Sequence, residues 1–383
     1  MNFTIDREVF LDKLTIIAHG LATKTPMKIM EGIKIEATDN DLYLTASNSD
    51  ISIEILVKDS SLVVQESGKT VVPGKTFIEL IKAFDSRKIS FFLIEDKMLM
   101  IKADRKEYRI NIMDPNDYPD ITFLSLINPF KINCLDLKKS IEETCFACAN
   151  NNKNPMLLGV NFKNNANKLV LTATNSYRLS LKTLDVESYD PFEITVPSKS
   201  LNELASILES YDESLPVELY LDKTKLLVKF NDTLFQTRLL DGNFPDTSNV
   251  CPKEKDIKVT VKFNKDELQT ALNRIAILSP IDRDRDKEIT FNAVVLKIDQ
   301  NYEVELSSAN IQGAGKELLI PVDINATSPL VIGFSSKYLL EALKVLSGNE
   351  IELSFIDGAK QFILKSTTDN TVTEIILPFR LDN

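Results

Sequence analysis

A short pattern of residues occurs three times along this chain and constrains its fold more strongly than any single motif. Each copy has a glycine or serine followed by a lysine and then a run of apolar residues at helical spacing. The three starts are Val72-Pro73-Gly74-Lys75, Val196-Pro197-Ser198-Lys199 and Phe334-Ser335-Ser336-Lys337. The apolar residues that follow are Phe77, Leu80, Ile81 and Phe84; Leu201, Leu204, Ala205 and Leu208; and Leu339, Ala342, Leu343 and Leu346. This spacing places each set on one helical face, so three copies of one structural unit are predicted.

Each unit is predicted to begin with a strand and a capped helix. Asp6, Asn133 and Asn264 each stand just before a helical pattern, where a side-chain oxygen can accept from free backbone N–H groups. Glu267 follows Asn264 at the capping-box spacing. The residues expected on the buried helical faces are Phe10, Leu14 and Ala18; Leu137, Ile141 and Cys145; and Leu268, Leu272 and Ala276.

Strands are predicted between and after the two helices of each unit. Short apolar stretches at 33–35, 160–162 and 294–296 precede a hairpin, which in the first unit turns at Asn48-Ser49-Asp50. Two further strands follow each second helix, within 89–101, 217–230 and 351–365. A strand-rich unit with two amphipathic helices must bury both helical faces. The predicted fold is therefore α+β, with helices on one face of antiparallel sheets.

The repeat also predicts the domain boundaries. A chain of 383 residues is long enough for two to four domains of ordinary size, and the repeat selects three. Proline-containing turns at Asp117-Tyr118-Pro119-Asp120 and Asn243-Phe244-Pro245-Asp246 close the first two units. The predicted domains are residues 1–125, 126–252 and 253–383.

Composition predicts a globular protein of the cytoplasm. The chain is 43% hydrophobic and 26% charged, which is ordinary for a protein with real cores. Its apolar runs are too short to span a membrane, its first residues do not resemble a secretion signal, and its four cysteines lack a disulfide-framework spacing. A net charge of −11 argues against nucleic acid at first sight. Binding depends on local potential, however, so one basic surface on an acidic protein remains compatible with DNA.

Four segments, in order along the threefold repeat, resemble a known family. They are Pro155-Met156-Leu157-Leu158-Gly159-Val160, the stretch from Thr174 to Leu179, Gly242-Asn243-Phe244-Pro245-Asp246, and Leu377-Pro378-Phe379-Arg380-Leu381. With these segments the whole chain resembles the bacterial sliding clamps, the β subunits of the replicative DNA polymerase.

The resemblance implies an architecture and a set of partners. Three DNA-clamp-type domains per subunit and head-to-tail pairing of two subunits would form a closed ring around duplex DNA. The ring would tether the replicative polymerase and other DNA enzymes as a processivity factor, and a clamp loader would open it. Loose contacts without sequence readout would allow sliding. No catalytic activity and no cofactor are expected.

Three lysines match family positions that approach DNA: Lys24, Lys75 and Lys199. Lys75 and Lys199 stand at predicted helix starts, where a cation opposes the helix dipole. Their recurrence fits either a shared need for positive charge or inheritance from a duplicated unit. Lys337, the third copy, is less favoured because its family counterpart faces the partner cleft. An ordinary solvated face explains the remaining basic residues of the helices.

The resemblance also implies a cleft that binds short peptides of the Gln-x-x-Leu-Phe type between the second and third domains. The matching positions are Leu157, Thr174, Ser176, Tyr177, Arg178, Leu179, Pro245, Val250, Tyr338, Ile375, Leu377, Pro378, Phe379 and Arg380. Plain core packing is an open alternative for Leu157, Leu179 and Ile375. The chain departs from the family pattern at Asn175, Tyr177 and Asn249, which bears on peptide preference, and Asp382 and Asn383 extend past the usual ending.

Other chemistry has weaker support in the sequence. Cys145 and Cys148 have a redox or metal-site spacing, but Cys145 occupies the place of Ala18 and Ala276 in the repeat and is expected to be a small core residue. One histidine allows no catalytic triad, and the mixed charges of residues 282–287 indicate a solvated loop. Two rival functions stay open: a repeat scaffold that binds proteins without encircling DNA, and a hydrolase with an unrecognised carboxylate site.

Overall fold

The computed structural model of the chain describes residues 1–95, 97–125, 127–187, 190–279, 281–283 and 290–379. Six α-helices lie in these ranges: α1 (Arg7–Ile17), α2 (Gly74–Ala83), α3 (Cys134–Cys145), α4 (Ser198–Leu208), α5 (Lys265–Ala276) and α6 (Ser336–Val345). Within these ranges, none of the helices combines the length and apolar character that a membrane crossing requires. Most of the predicted 282–287 loop lies outside the described residues.

The strands alternate with these helices in a repeated order. The first ten are β1 (Asn2–Asp6), β2 (Gly32–Ala37), β3 (Leu42–Ser47), β4 (Ile51–Val57), β5 (Val63–Glu66), β6 (Gly68–Pro73), β7 (Lys88–Ile94), β8 (Met98–Ala103), β9 (Lys106–Asn111) and β10 (Phe130–Asn133). The next seven are β11 (Gly159–Asn165), β12 (Lys168–Thr174), β13 (Arg178–Asp185), β14 (Phe192–Pro197), β15 (Pro216–Leu221), β16 (Lys225–Phe230) and β17 (Thr233–Arg238). The last ten are β18 (Val259–Asn264), β19 (Ile281–Arg283), β20 (Thr290–Ile298), β21 (Val304–Asn310), β22 (Gly313–Leu319), β23 (Asp323–Ala326), β24 (Leu330–Ser335), β25 (Glu350–Phe355), β26 (Phe362–Ser366) and β27 (Val372–Ile376).

The first compact unit consists of Met1–Lys138 and Lys199–Leu239. It contains a sheet in the order β5-β1-β7-β8-β9 and a larger one in the order β10-β15-β16-β17-β4-β3-β2-β6, with every pairing antiparallel. The larger sheet joins two repeats, because β17 of the second repeat pairs with β4 of the first and places Phe235 opposite Ile53.

The second compact unit consists of Lys139–Ser198 and Leu240–Asn383. One sheet has the order β14-β11-β12-β13-β27-β26-β25-β18-β23, and the other has β24, β20, β21 and β22 paired in sequence, with β19 also on β20. Here too a sheet joins two repeats, because β27 of the third repeat pairs with β13 of the second.

The helices bury the apolar faces that their spacing predicts. In the first unit α1 and α2 pack together and against β2, β3, β4 and β6, and in the second α5 and α6 pack together and against β20, β21 and β22. Side chains of Asp6 and Asn264 cap α1 and α5 by accepting backbone N–H bonds. Most of the predicted core positions, including Phe10, Leu272 and Leu343, are fully buried.

Three predicted core positions are only partly buried. Ala18 and Ala276 stand at the ends of α1 and α5, and Leu80 of α2 is half-buried. The prediction of two strands after each second helix was also too low. A third strand follows in every repeat, namely β9, β17 and β27.

The same side chain closes the hairpin turn in each repeat. Asn48 Oδ1 accepts from the backbone N–H groups of Asp50 and Ile51, at 3.2 and 2.9 Å. Asn175 and Asn310 make the corresponding pairs of bonds in the other two repeats. An asparagine that accepts two following N–H groups stabilises a turn without help from the strands, so the triplicated sequence yields a triplicated turn.

Candidate partner-peptide cleft

The predicted cleft is built around the tight turn between β12 and β13. Asn175 Oδ1 accepts from the N–H groups of Tyr177 and Arg178, both at 3.0 Å, and Thr174 Oγ1 donates to the carbonyl oxygen of Arg178 at 2.6 Å. Ser176 has a φ of 77°, in the left-handed region, and its N–H bonds to Thr174 Oγ1 at 3.1 Å. These bonds hold Ser176 exposed and Tyr177 half-buried at the tip of the turn.

Arg178 is buried within the fold beside this turn. Its guanidinium lies between two aromatic rings, with Cζ 4.9 Å from the centroid of Phe146 and 4.7 Å from that of Tyr338. It is ion-paired with Glu341 on α6, and it donates to the carbonyl oxygen of Phe146. A planar cation between two rings, with a carboxylate and a carbonyl at its edge, is an arrangement that arginine supplies and lysine cannot.

The apolar positions of the predicted cleft are well buried. Leu157, Leu179 and Ile375 expose 5%, 2% and 0% of their surface, and Leu179 lies opposite Ile375 where β13 pairs with β27. Their burial fits the core-packing alternative. A peptide that enters the cleft would therefore contact mainly the half-buried side chains around them.

The last described residues are held beside the turn by backbone hydrogen bonds. The N–H of Leu377 donates to the carbonyl oxygen of Tyr177 at 2.9 Å, and the N–H of Phe379 donates to that of Gly333 at 3.0 Å. Leu377 is 39% exposed, while Pro378 and Phe379 are half-buried. Backbone bonds thus hold an extended, partly exposed apolar segment against the turn. Arg380, Leu381, Asp382 and Asn383 lie outside the described residues.

Three further predicted positions are buried or half-buried. Tyr338 is 5% exposed, its hydroxyl accepts from Asn175 Nδ2 at 3.3 Å, and burial raises its pKa. Pro245 and Val250 are half-buried, and the carbonyl oxygen of Val250 accepts from Gln361 at 2.9 Å. Hydrogen bonds and strand pairing therefore link the β12–β13 turn, Tyr338 and the last described residues directly.

The three lysines predicted to approach DNA are all exposed. Lys75 and Lys199 are the second residues of α2 and α4, and Lys24 lies in the loop after α1. In α2 the first turn has no acidic side chain and no side-chain cap. The positive charge of Lys75 therefore has no acidic side chain in its own helical turn to offset it. Lys337 is likewise exposed at the start of α6.

A buried polar cluster beside the β12–β13 turn was missed by the sequence reasoning. Ser180, Lys182, Glu143 and Glu374 are all less than 9% exposed, and Lys182 Nζ lies 2.6 Å from Glu143 Oε2. A comparison of the repeats could have found this cluster, because polar residues in the second repeat replace apolar ones in the first. Arg178, Ser180 and Lys182 alternate in β13 where the first repeat has Ile51, Ile53 and Ile55 in β4.

A cleft of about 400 Å³ lies elsewhere in the second unit, between α5 and the edge strand β22. Leu268 and Ala271 line it from α5, and Leu318, Leu319 and Ile320 line it from β22 and the following residue. Leu318 and Ile320 are 62% and 83% exposed. Asp266, Glu267, Arg274 and Glu317 add charged side chains to the lining. Exposed apolar side chains beside an unpaired strand edge are typical of a protein contact surface.

Cys145 and Cys148 are buried core residues, as the repeat predicts for Cys145. Cys145 and Cys148 are each 7% exposed, and burial raises the pKa of both thiols, that of Cys148 to about 12. Among the described residues, no group of three or more His, Cys, Asp or Glu side chains could hold a metal ion.

Comparison with known proteins gives matches along the full chain. Family models for the N-terminal, central and C-terminal domains of the DNA polymerase III beta subunit match residues 1–122, 131–246 and 248–380. The beta sliding clamp of Staphylococcus epidermidis is 32% identical over 387 residues, covering 99% of both chains, and that of Staphylococcus aureus is 31% identical. The DNA polymerase sliding clamp of Bacillus subtilis superposes with a TM-score of 0.92 at 30% identity, covering 100% of both chains. The β subunit of Streptococcus pyogenes DNA polymerase gives 0.92 at 27% identity, also over 100% of both chains.

Proposed function

We infer that this protein, which belongs to the family of DNA polymerase III β subunits, is a DNA sliding clamp. The observation that carries this conclusion is the match of all three domain models in order, on a chain whose antiparallel fold superposes on solved clamps end to end. The protein is a non-catalytic processivity subunit.

The proposed mechanism is topological. Two subunits close head to tail around duplex DNA, so retention comes from the ring and not from tight contacts. Tight base readout would stop the ring from sliding. The polymerase and other DNA enzymes bind the ring and are kept at the template, and a clamp loader opens it. The proposed domains are residues 1–125, 126–252 and 253–383, and the proposed location is the cytoplasm.

Two sheet edges offer surfaces for ring closure. β9 is the unpaired edge of one sheet in the first unit, and β22 is the edge of a sheet in the second. Both edges carry exposed apolar side chains, Tyr108 on β9 and Leu318 on β22. A strand edge with free N–H and C=O groups can pair with another chain. We propose that β9 of one subunit pairs with β22 of the next, because head-to-tail contacts join different surfaces of identical chains.

The proposed DNA contacts are Lys24, Lys75 and Lys199. Replacing all three with glutamate is expected to weaken retention on nicked circular DNA and to reduce its salt dependence, since phosphate contacts release counterions. Stability should change little because all three side chains are exposed. A matched variant with the exposed lysines Lys88, Lys97 and Lys131 changed to glutamate keeps the net charge equal.

Gel filtration of each protein after loading on nicked circles and on linear DNA of equal length measures the effect. Wild-type retention on circles but not on linear DNA separates a clamp from both a protein scaffold and a hydrolase. If the triple variant is retained as well as the matched control across low and moderate salt, these lysines do not face DNA.

The proposed partner site is the surface formed by the β12–β13 turn, Tyr338, Pro245, Val250 and the last residues of the chain, with the other predicted positions beneath it. The segment from Leu377 to Phe379, held by two backbone bonds, leaves partly buried apolar side chains beside a polar turn. Short peptides with a glutamine and apolar anchors fit such a surface, since a few anchors in pockets supply most of the binding energy. Tyr177 and Asn175 are the side chains at the turn that would adjust peptide preference.

A further inference from the structure

A row of buried polar side chains runs along one face of β13. Arg178, Ser180 and Lys182 alternate along the strand and expose 7%, 0% and 5% of their surface. Alternate residues of a strand point to the same face, and Glu143 of α3 and Glu374 of β27 meet this face. These five residues, Arg178, Ser180, Lys182, Glu143 and Glu374, are called the polar seam below.

Each cation of the polar seam already has a carboxylate partner. Lys182 is paired with Glu143 at 2.6 Å, and Arg178 is paired with Glu341. Glu374 is 1% exposed, and its Oε1 lies 2.7 Å from the hydroxyl of Ser180. A charge on Glu374 would be buried without a cation of its own, which is costly.

The contacts of Ser180 indicate where the proton lies. Its Oγ is 2.6 Å from the carbonyl oxygen of Glu143 and 2.7 Å from Glu374 Oε1. A serine hydroxyl has one proton to donate, and a carbonyl oxygen only accepts. Both contacts are hydrogen bonds when Ser180 donates to Glu143 and a protonated Glu374 donates to Ser180. Burial likewise raises the pKa of Glu374 well above its ordinary value of 4.5.

The junction of the first and second repeats shows that the fold does not require a polar seam. The matching positions are buried and apolar: Ile16, Ile51, Ile53 and Ile55 in the first repeat, and Phe235 on β17 of the second. Phe235 lies opposite Ile53 on β17 as Glu374 lies opposite Ser180 on β27. Well-packed apolar groups usually stabilise a core at least as well as buried ion pairs do. The polar seam therefore has a role specific to the junction of the second and third repeats. That junction carries the proposed partner-peptide cleft.

Two contacts connect the polar seam to the cleft. Ser180 holds the carbonyl of Glu143 near the end of α3, and Phe146, three residues on, provides a ring and a carbonyl for Arg178. In the other direction, the chain runs from Glu374 on β27 to Leu377, one residue past the strand, whose N–H bonds to the turn at Tyr177.

We propose that Glu374, in its protonated form, is a positioning residue for the partner-peptide cleft, joining β27 through Ser180 to the end of α3. This inference rests on the proposed function of the cleft. The charged and titratable groups around Glu374 and its seam partners are Arg178 and Lys182 on β13, Lys139 and Glu143 on α3, Cys148 after α3, Tyr338 and Glu341 on α6, and Asp369 before β27.

Glu374→Gln tests whether Glu374 is protonated in the folded protein. Glutamine keeps the shape of the side chain and an N–H that can donate to Ser180, but it cannot ionise. Below pH 4.5 the wild-type group is protonated in both folded and unfolded states. Above that pH the unfolded state releases the proton while the folded state keeps it, so wild type loses stability as pH rises. Relative to Glu374→Gln, its unfolding equilibrium constant should grow by up to about tenfold per pH unit until the folded group ionises.

Denaturant unfolding of both proteins from pH 5 to 9 measures the ratio of their unfolding equilibrium constants. Glu193→Gln is the matched control, since Glu193 is exposed on β14 of the same sheet. Its stability should follow wild type with a constant offset. If the stability of Glu374→Gln changes with pH in parallel with that of wild type, the proposal that Glu374 is protonated is wrong.

Peptide affinity over the same pH range tests the positioning role. Titration of a fluorescent Gln-x-x-Leu-Phe peptide should show wild-type affinity falling by about threefold or more as Glu374 ionises, with Glu374→Gln unchanged, because binding and proton uptake are coupled reciprocally. Ser180→Ala should weaken binding at every pH. Identical pH profiles for wild type and Glu374→Gln would overturn the positioning role while leaving the cleft intact. No binding by wild type at any pH would instead remove the proposed cleft, and the positioning role with it.

Discussion

Arg178 shows how one side chain can stabilise the junction of two repeats. Its cation is 7% exposed and lies between Phe146 of the second repeat and Tyr338 of the third, with Glu341 as its ion partner. Desolvation makes both the stacking and the ion pair stronger than they would be at the surface. A substitution that changes the shape of this side chain therefore removes several contacts at once.

Arg178→Lys is therefore expected to destabilise the protein although the charge is kept. Lysine cannot stack as a planar group between two rings or reach Glu341 and the Phe146 carbonyl together. A loss of ~1–3 kcal/mol in the free energy of unfolding is expected, measured by denaturant titration. Arg87→Lys is the control, since Arg87 is 88% exposed and its change should stay within about 0.5 kcal/mol. Equal effects of the two substitutions would mean that the stacked geometry contributes nothing.

At the scale of elements, the three hairpin turns offer an internal comparison. Asn48 and Asn175 each accept from two backbone N–H groups, but only Asn175 also donates to Tyr338, at the proposed cleft. Asparagine turns of this kind are recognisable in a sequence because their bonds are local. This explains why the hairpins were predictable in all three repeats.

Asn48→Ala and Asn175→Ala should destabilise the protein by similar amounts, ~1–2 kcal/mol each, because each leaves two turn N–H groups without their acceptor. Peptide affinity should separate them. Asn175→Ala is expected to weaken binding of a Gln-x-x-Leu-Phe peptide by roughly tenfold, equivalent to ~1.4 kcal/mol, since the turn forms part of the site. Asn48→Ala should bind as wild type does. Fluorescence anisotropy measures both, and equal affinities would place the peptide away from this turn.

At the scale of the whole molecule, the repeat predicted the helices and hairpins, but it did not predict which strands join one repeat to the next. Helical faces and turns depend on residues close in sequence. The pairing of β17 with β4, and of β27 with β13, depends on strands that belong to different repeats. No local pattern marks such a partner, and for the same reason Glu374 and Glu143 were not connected with β13 before the strands were placed. The cleft beside β22 is likewise recognised only once β22 is known to be an edge strand.

That edge provides the test of ring closure. Leu318 and Ile320 are large apolar side chains, 62% and 83% exposed at and just beyond β22, and burial in a subunit contact would account for both. The double change Leu318→Asp and Ile320→Asp should weaken the dimer by ~4 kcal/mol, or about a thousandfold, if each acts as an interface anchor.

Sedimentation velocity at micromolar concentration should then show a monomer where wild type is a dimer. Val331→Asp is the control, because Val331 is 47% exposed on β24, which is not the β22 edge. Loss of the dimer in the double variant alone would assign ring closure to β22. Because an open ring cannot retain DNA topologically, the same variant should also lose retention on nicked circles while its circular dichroism spectrum and its peptide affinity stay those of wild type. A dimer that survives the double change at wild-type affinity would place the subunit contact on another surface.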